Sequence, residues 1–138
     1  RPVLKLLSTA LIFSVGTPVL SSETTSVVLQ CDTQQQPLIC AALAEGLAAK
    51  WPELMLTLVN VSEAQESPEV NPQAEYTIRY LETSRSSNVL SGQLNWQDRA
   101  GPAVEGPVAG FSVMDRELQD RDLAIFTETL IETSGLPF

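Results

Sequence analysis

Two cysteines, Cys31 and Cys40, bound the stretch CDTQQQPLIC, and the chain has no others. Thiols so placed suggest four chemistries: a redox pair, half of a metal site, a lipid attachment point or a structural disulfide. A CxxC redox motif places two residues between its sulfurs; here residues 32 to 39 intervene. Two thiolates cannot build a four-thiolate zinc site, and there is no histidine to complete a mixed one. Lipid attachment needs small residues just before the cysteine at the end of a signal. Val28, Leu29 and Gln30 precede Cys31, some way beyond the predicted cleavage point. A disulfide remains, predicted between Cys31 and Cys40. Closing so short a loop contributes roughly 2.5–3 kcal/mol in the chain-entropy account.

The absence of histidine also excludes Ser-His-Asp and Cys-His catalysis. An acid-only hydrolase needs two carboxylates converging in one cleft. Glu75, Glu82, Asp98 and Glu105 lie near predicted strand ends, but their spacing singles out no pair. The string DRELQDRD, Asp115 to Asp122, has hard oxygen ligands of the kind that bind divalent cations. Arg116 and Arg121 are interleaved with them, so the string reads as a solvated helix start with local ion pairs. Lys50 reads as a snorkelling side chain whose stem covers apolar surface. No glycine pattern matches a dinucleotide or phosphate-binding loop. Asn60-Val61-Ser62 matches a glycosylation sequon but falls in a predicted strand. No catalytic residue, cofactor or metal site is therefore expected.

The elements that must position these residues follow from periodicity. Thr25 to Cys31 is a β-branched run, a strand buried on both faces. Pro37 opens a helix whose Leu38, Ile39, Ala42, Leu43, Gly46 and Leu47 fall on one side. Gly46, beside Ala42 and Ala49, is expected to let this helix approach a sheet closely. Trp51-Pro52 ends the helix. Leu54 to Val61 is a second strand, and the order strand–helix–strand implies a parallel βαβ unit. An acidic, proline-containing loop covers 62–73. Tyr76, Ile78 and Tyr80 mark the inner face of a third strand. Leu90, Gly92, Leu94 and Trp96 mark that of a fourth. The run AVEGPVAGFSV is a single edge or bulged strand, since Pro107 lacks a ladder donor. Ser112 is expected to cap a last helix, with Asp115 as its capping-box partner and Gly135 as its stop. The fold class is α+β: β-α-β, then a three-stranded antiparallel meander and a C-terminal helix. Both helices pack on one face of a mixed sheet.

Residues 1–21 read as a bacterial secretory signal peptide. Arg1 and Lys5 are basic, Leu6 to Val15 are apolar, and Val19 and Ser21 suit a cleavage site before Ser22. A single α+β domain would occupy 22–138. No later segment is apolar enough to span a membrane as a helix. The chain has 17 acids against 8 Lys+Arg. Cleavage would remove Arg1 and Lys5 and no acid, so the net charge would fall from −9 to −11. That balance disfavours nucleic acid and anionic lipid as partners.

An exported, small, acidic chain without catalytic or cofactor motifs is expected to be a non-enzymatic interaction or assembly accessory of the bacterial envelope, located in the periplasm or secreted. A protein partner there would add to the edge formed by Val104, Gly106, Pro107, Val108 and Gly110. In layout alone, the βαβ unit followed by a meander resembles accessory domains of envelope machines such as the amino-terminal domain of the TolB type. The alternative is a periplasmic small-molecule binding module with a pocket between the sheet and the 62–73 loop, lined by Tyr76 or Tyr80. A hydrolase using only carboxylates is the third reading.

Overall fold

A computed structural model describes residues 24–61 and 74–138. The predicted signal peptide at 1–21 and the acidic loop at 62–73 lie outside the described residues. The elements run β1 (Thr25–Cys31), α1 (Pro37–Lys50), β2 (Leu54–Asn60), β3 (Tyr76–Arg85), β4 (Val89–Asp98), β5 (Val104–Glu105), β6 (Ala109–Ser112) and α2 (Asp120–Thr133). This is an α+β fold with one mixed sheet in the order β2-β1-β3-β4-β5, with β6 also paired to β4.

β1 is the inner strand of the parallel part, hydrogen-bonded to β2 on one side and β3 on the other. That position explains its near-continuous apolar run. Val27 and Leu29 point into the main core, and Val28, on the opposite face, is also buried. β3 and β4 pair antiparallel, with Tyr80 opposite Leu94 and a bulge between Glu82 and Ser84. The core lies on one side of the sheet. Val27, Leu29, Ile78, Tyr80, Leu90 and Leu94 meet Ile39, Leu43 and Leu47 of α1 and Leu123, Phe126 and Leu130 of α2. Both helices therefore cover the same face.

Three expectations need correction. AVEGPVAGFSV is not one strand but two, β5 and β6, which pair with different stretches of β4. The break is at Gly106–Val108. Pro107 has no N–H, and Gly106 N–H donates inward to the Leu94 carbonyl at 3.0 Å. The last helix starts at Asp120, not after Ser112. Ser112 belongs to β6, Val113 N–H bonds to the Asn88 carbonyl and Leu118 N–H to the Ser87 carbonyl. Those bonds hold the chain against the β3–β4 turn, and Asp115 adopts a left-handed φ of 64°. The capping box is built from Gln119 and Asp122. Finally, Gly46 allows close approach to α2, not to the sheet: a Cβ there would lie 2.8 Å from Ile131 Cδ1.

The helix stops are as expected. Trp51 leaves the helical region before Pro52. Gly135, at φ 70°, takes the left-handed position just beyond Ser134. Leu136 and Phe138 then fold back onto the core. Phe138 meets Trp51 and Tyr76 edge-on, with ring centroids 5.2 and 5.1 Å apart. Tyr76 in turn meets Trp96 at 6.2 Å. An aromatic cluster thus joins the end of α1 to β3, β4 and the tail.

Candidate interaction surface

Cys31, the last residue of β1, is bonded to Cys40 in the first turn of α1, with Cα atoms 5.8 Å apart. Both are buried. The connecting turn is satisfied locally. One Asp32 carboxylate oxygen accepts from Gln34 and Gln35 N–H at 3.2 and 3.0 Å, and the Asp32 carbonyl accepts from Gln36 N–H. Asn60 Oδ1, of the sequon, accepts from Thr33 N–H at 2.9 Å and so ties β2 to the same turn. The cysteines form a staple between strand and helix, as the sequence predicts.

Of the four acids near strand ends, Glu82 and Glu105 stand apart from the other two. Glu82 is held by Arg85 through two bonds of 3.0 Å and accepts from the Tyr80 hydroxyl. Glu105 lies exposed in β5. Glu75 and Asp98 do line one small groove, of about 250 Å³, together with Tyr76, Arg99 and Ala100. Asp98 Oδ1 there accepts from Ala100 N–H at 3.0 Å, which is a turn-forming role. Tyr80, on the inner face as its alternation predicts, is 1% exposed and packs edge-on against Phe126, which is core packing and not the pocket lining of the binding-module alternative. Among the described residues no group of three or more His, Cys, Asp or Glu is placed to hold a metal ion. In the DRELQDRD string, Asp122 makes a bidentate pair with Arg116, at 2.6 and 3.0 Å, and accepts from Gln119 N–H at 2.8 Å. The Arg116 hydrogen bonds, then that of Gln119, pull the Asp122 carboxyl down to about 2 against the opposing effect of burial. This is a helix-start device, of the local ion-pair kind expected.

Two surfaces bear on partner binding. The first is the outer edge of β5 and β6: of the five residues named there, Val104 lies in β5, Gly110 in β6, and Gly106, Pro107 and Val108 in the break between them. Val104 and Val108 are exposed there, as is Met114 just beyond β6. Gly106 is buried: a Cβ would run into the Leu94 carbonyl oxygen, and the Ser134 backbone closes the other side. Gly110 has no such neighbour.

The second surface escaped the sequence reading. α1 and α2 pack through Gly46 and Ile131, and above that contact runs a groove of about 510 Å³. Its floor is Ala42, Gly46, Ala49, Ala124, Thr127 and Ile131, and its rim is Glu45, Lys50, Glu128 and Glu132. The signal for it was present. Of the 14 residues in α1 only Glu45 and Lys50 are charged, so the helix has almost no polar face. A surface helix normally shows one. Leu38, Ala41, Ala48 and Ala49 are exposed in consequence.

No family model matches this sequence, and no curated protein matches it. Among solved structures, the chain is similar to protein VC0702 from Vibrio cholerae. The identity is 11%, over 84% of this chain and 96% of that one, with a TM-score of 0.49. No helix among the described residues is long and apolar enough to cross a membrane.

Proposed function

We propose that this chain is a small exported, non-enzymatic interaction or assembly accessory of the bacterial envelope. The observation that carries the reading is the outer edge of the sheet. β5 and β6 have no strand beyond them among the described residues; Val104 of β5 and Val108, in the break before β6, face solvent. An open edge offers backbone hydrogen bonds to an incoming segment, and exposed side chains flanking it add apolar contact. Pro107 limits addition to the short stretches on either side of it, which favours a specific partner over indiscriminate strand pairing. The Cys31–Cys40 bond supports an oxidising compartment.

Site-specific photo-crosslinking in the envelope tests this. A photoreactive residue at Val104 or Val108 should capture one discrete partner. Val108→Asp should abolish the crosslink formed from position 104 while leaving the melting temperature unchanged. Crosslinks that are diffuse, or indifferent to Val108→Asp, would remove this edge as the binding surface.

A further inference from the structure

We propose that the α1–α2 groove is a second docking site, and that its occupant is a partner helix with an apolar stripe flanked by Lys or Arg. This rests on reading the chain as an interaction protein, and it adds a surface and a partner chemistry to that reading. Two observations converge on it, the form of the groove and the charge of its rim.

The groove has the right form. Ala42, Gly46 and Ala49 follow the i, i+4, i+7 spacing that puts residues on one helix face; Ala124, Thr127 and Ile131, at i, i+3 and i+7, likewise share one face of α2. Small residues on α1 leave a trough between the two helices, and the side-chain ridge of a third helix packs into such a trough. The floor asks for no polar partner, because the Thr127 hydroxyl already donates to the Ala124 carbonyl at 3.0 Å. The apolar surface also extends past the groove along α1, through exposed Leu38, Ala41 and Ala48.

Charge selects the occupant. Glu45, Glu128 and Glu132 stand at the rim against Lys50 alone. The Lys50 ammonium lies 5.1 Å from the centre of the Trp51 ring, drawn toward the aromatic face. The ion pairs found among the described residues, Arg85–Glu82 and Arg116–Asp122, involve none of the three glutamates. An apolar floor under an acidic rim complements an apolar stripe with basic flanks. A second copy of this chain would oppose the acidic rim to itself, and an anionic membrane would face the same repulsion.

The test uses the oxidised chain and two labelled peptides of about 18 residues, long enough for five turns of helix. Both bear an Ala/Leu stripe at helical spacing. One is flanked by Lys and the other by Glu. Fluorescence anisotropy should show the Lys-flanked peptide binding at least about tenfold more tightly than the Glu-flanked one, with affinity falling as salt rises. Ala49→Arg keeps a good helix former at an exposed position but fills and charges the groove. It should weaken binding by roughly tenfold or more with an unchanged melting temperature, and Glu128→Lys should weaken it less.

Equal binding of the two peptides, or binding indifferent to Ala49→Arg, would overturn the proposal. So would self-association in sedimentation, or attachment to phosphatidylglycerol vesicles, that Ala49→Arg abolishes, because the groove would then belong to another occupant. If the Lys-flanked peptide fails while Val104 or Val108 still crosslinks a discrete envelope partner, the groove is wrong and the interaction reading stands. Failure of both removes both.

Discussion

Asp122 shows how much one carboxylate can organise. It receives two hydrogen bonds from Arg116, closes the capping box with Gln119 and is itself almost fully buried. Its folded-state carboxyl is depressed to about 2, against roughly 3.9 for an unfolded aspartate. The unfolded chain therefore binds the proton more readily. The stabilisation is present above pH ~4 and is lost as the pH falls through about 2. Asp122→Asn should lower the melting temperature at pH 7 and flatten its dependence on pH between ~4 and ~2; melts across that range check both. Two glycines make a contrasting pair. Gly106→Ala would press a Cβ into the Leu94 carbonyl, which is backbone and cannot move aside. A destabilisation of about 1–3 kcal/mol is expected in urea melts. Gly46→Ala would meet only the tip of Ile131, which can rotate. The gain in helix propensity, roughly 1 kcal/mol, offsets that contact, so the net change should stay within about 0.5 kcal/mol of zero.

At the scale of elements, β1 and α1 are held together by the bond that the cysteine spacing predicts. Reducing it, or replacing both cysteines with alanine, should cost about 2.5 kcal/mol. Chemical denaturation with and without reductant measures this. The β1–α1–β2 unit was legible because its signals are local: a β-branched run, Pro37 at the helix start and Trp51-Pro52 at its end. The start of α2 was misread because Ser112 and Asp115 form an acceptable capping pair on paper. What overrides them is non-local. Val113 and Leu118 bond to Asn88 and Ser87, residues of a turn more than twenty positions earlier. Pro107 was legible as an irregularity in the last strand run, but the break there and the inward turn of the Gly106 N–H toward Leu94 were not, because they need β4 in place beside them.

Across the whole molecule, two helices on one face of the sheet create a surface that neither helix has alone. Phe126, at the centre of the core, should cost about 3–5 kcal/mol when replaced by alanine, and the loss should appear as a lower denaturant midpoint. Ala49→Arg should leave that midpoint unchanged, since it lies outside the core. The sequence by itself determined the α+β class, the parallel βαβ unit, the disulfide and the acidic charge, because each follows from short-range periodicity, spacing or composition. The tertiary structure alone decided the rest. It split the last strand run in two, moved the start of α2 and chose Phe126 as the ring that meets Tyr80. It also turned Ala42, Gly46 and Ala49 from a supposed sheet contact into the floor of a groove. The large residues Ile39, Leu43 and Leu47 mark the core side of α1, but its small residues carry no mark of what they will face. Only the direction from which α2 arrives settles which side is left facing solvent.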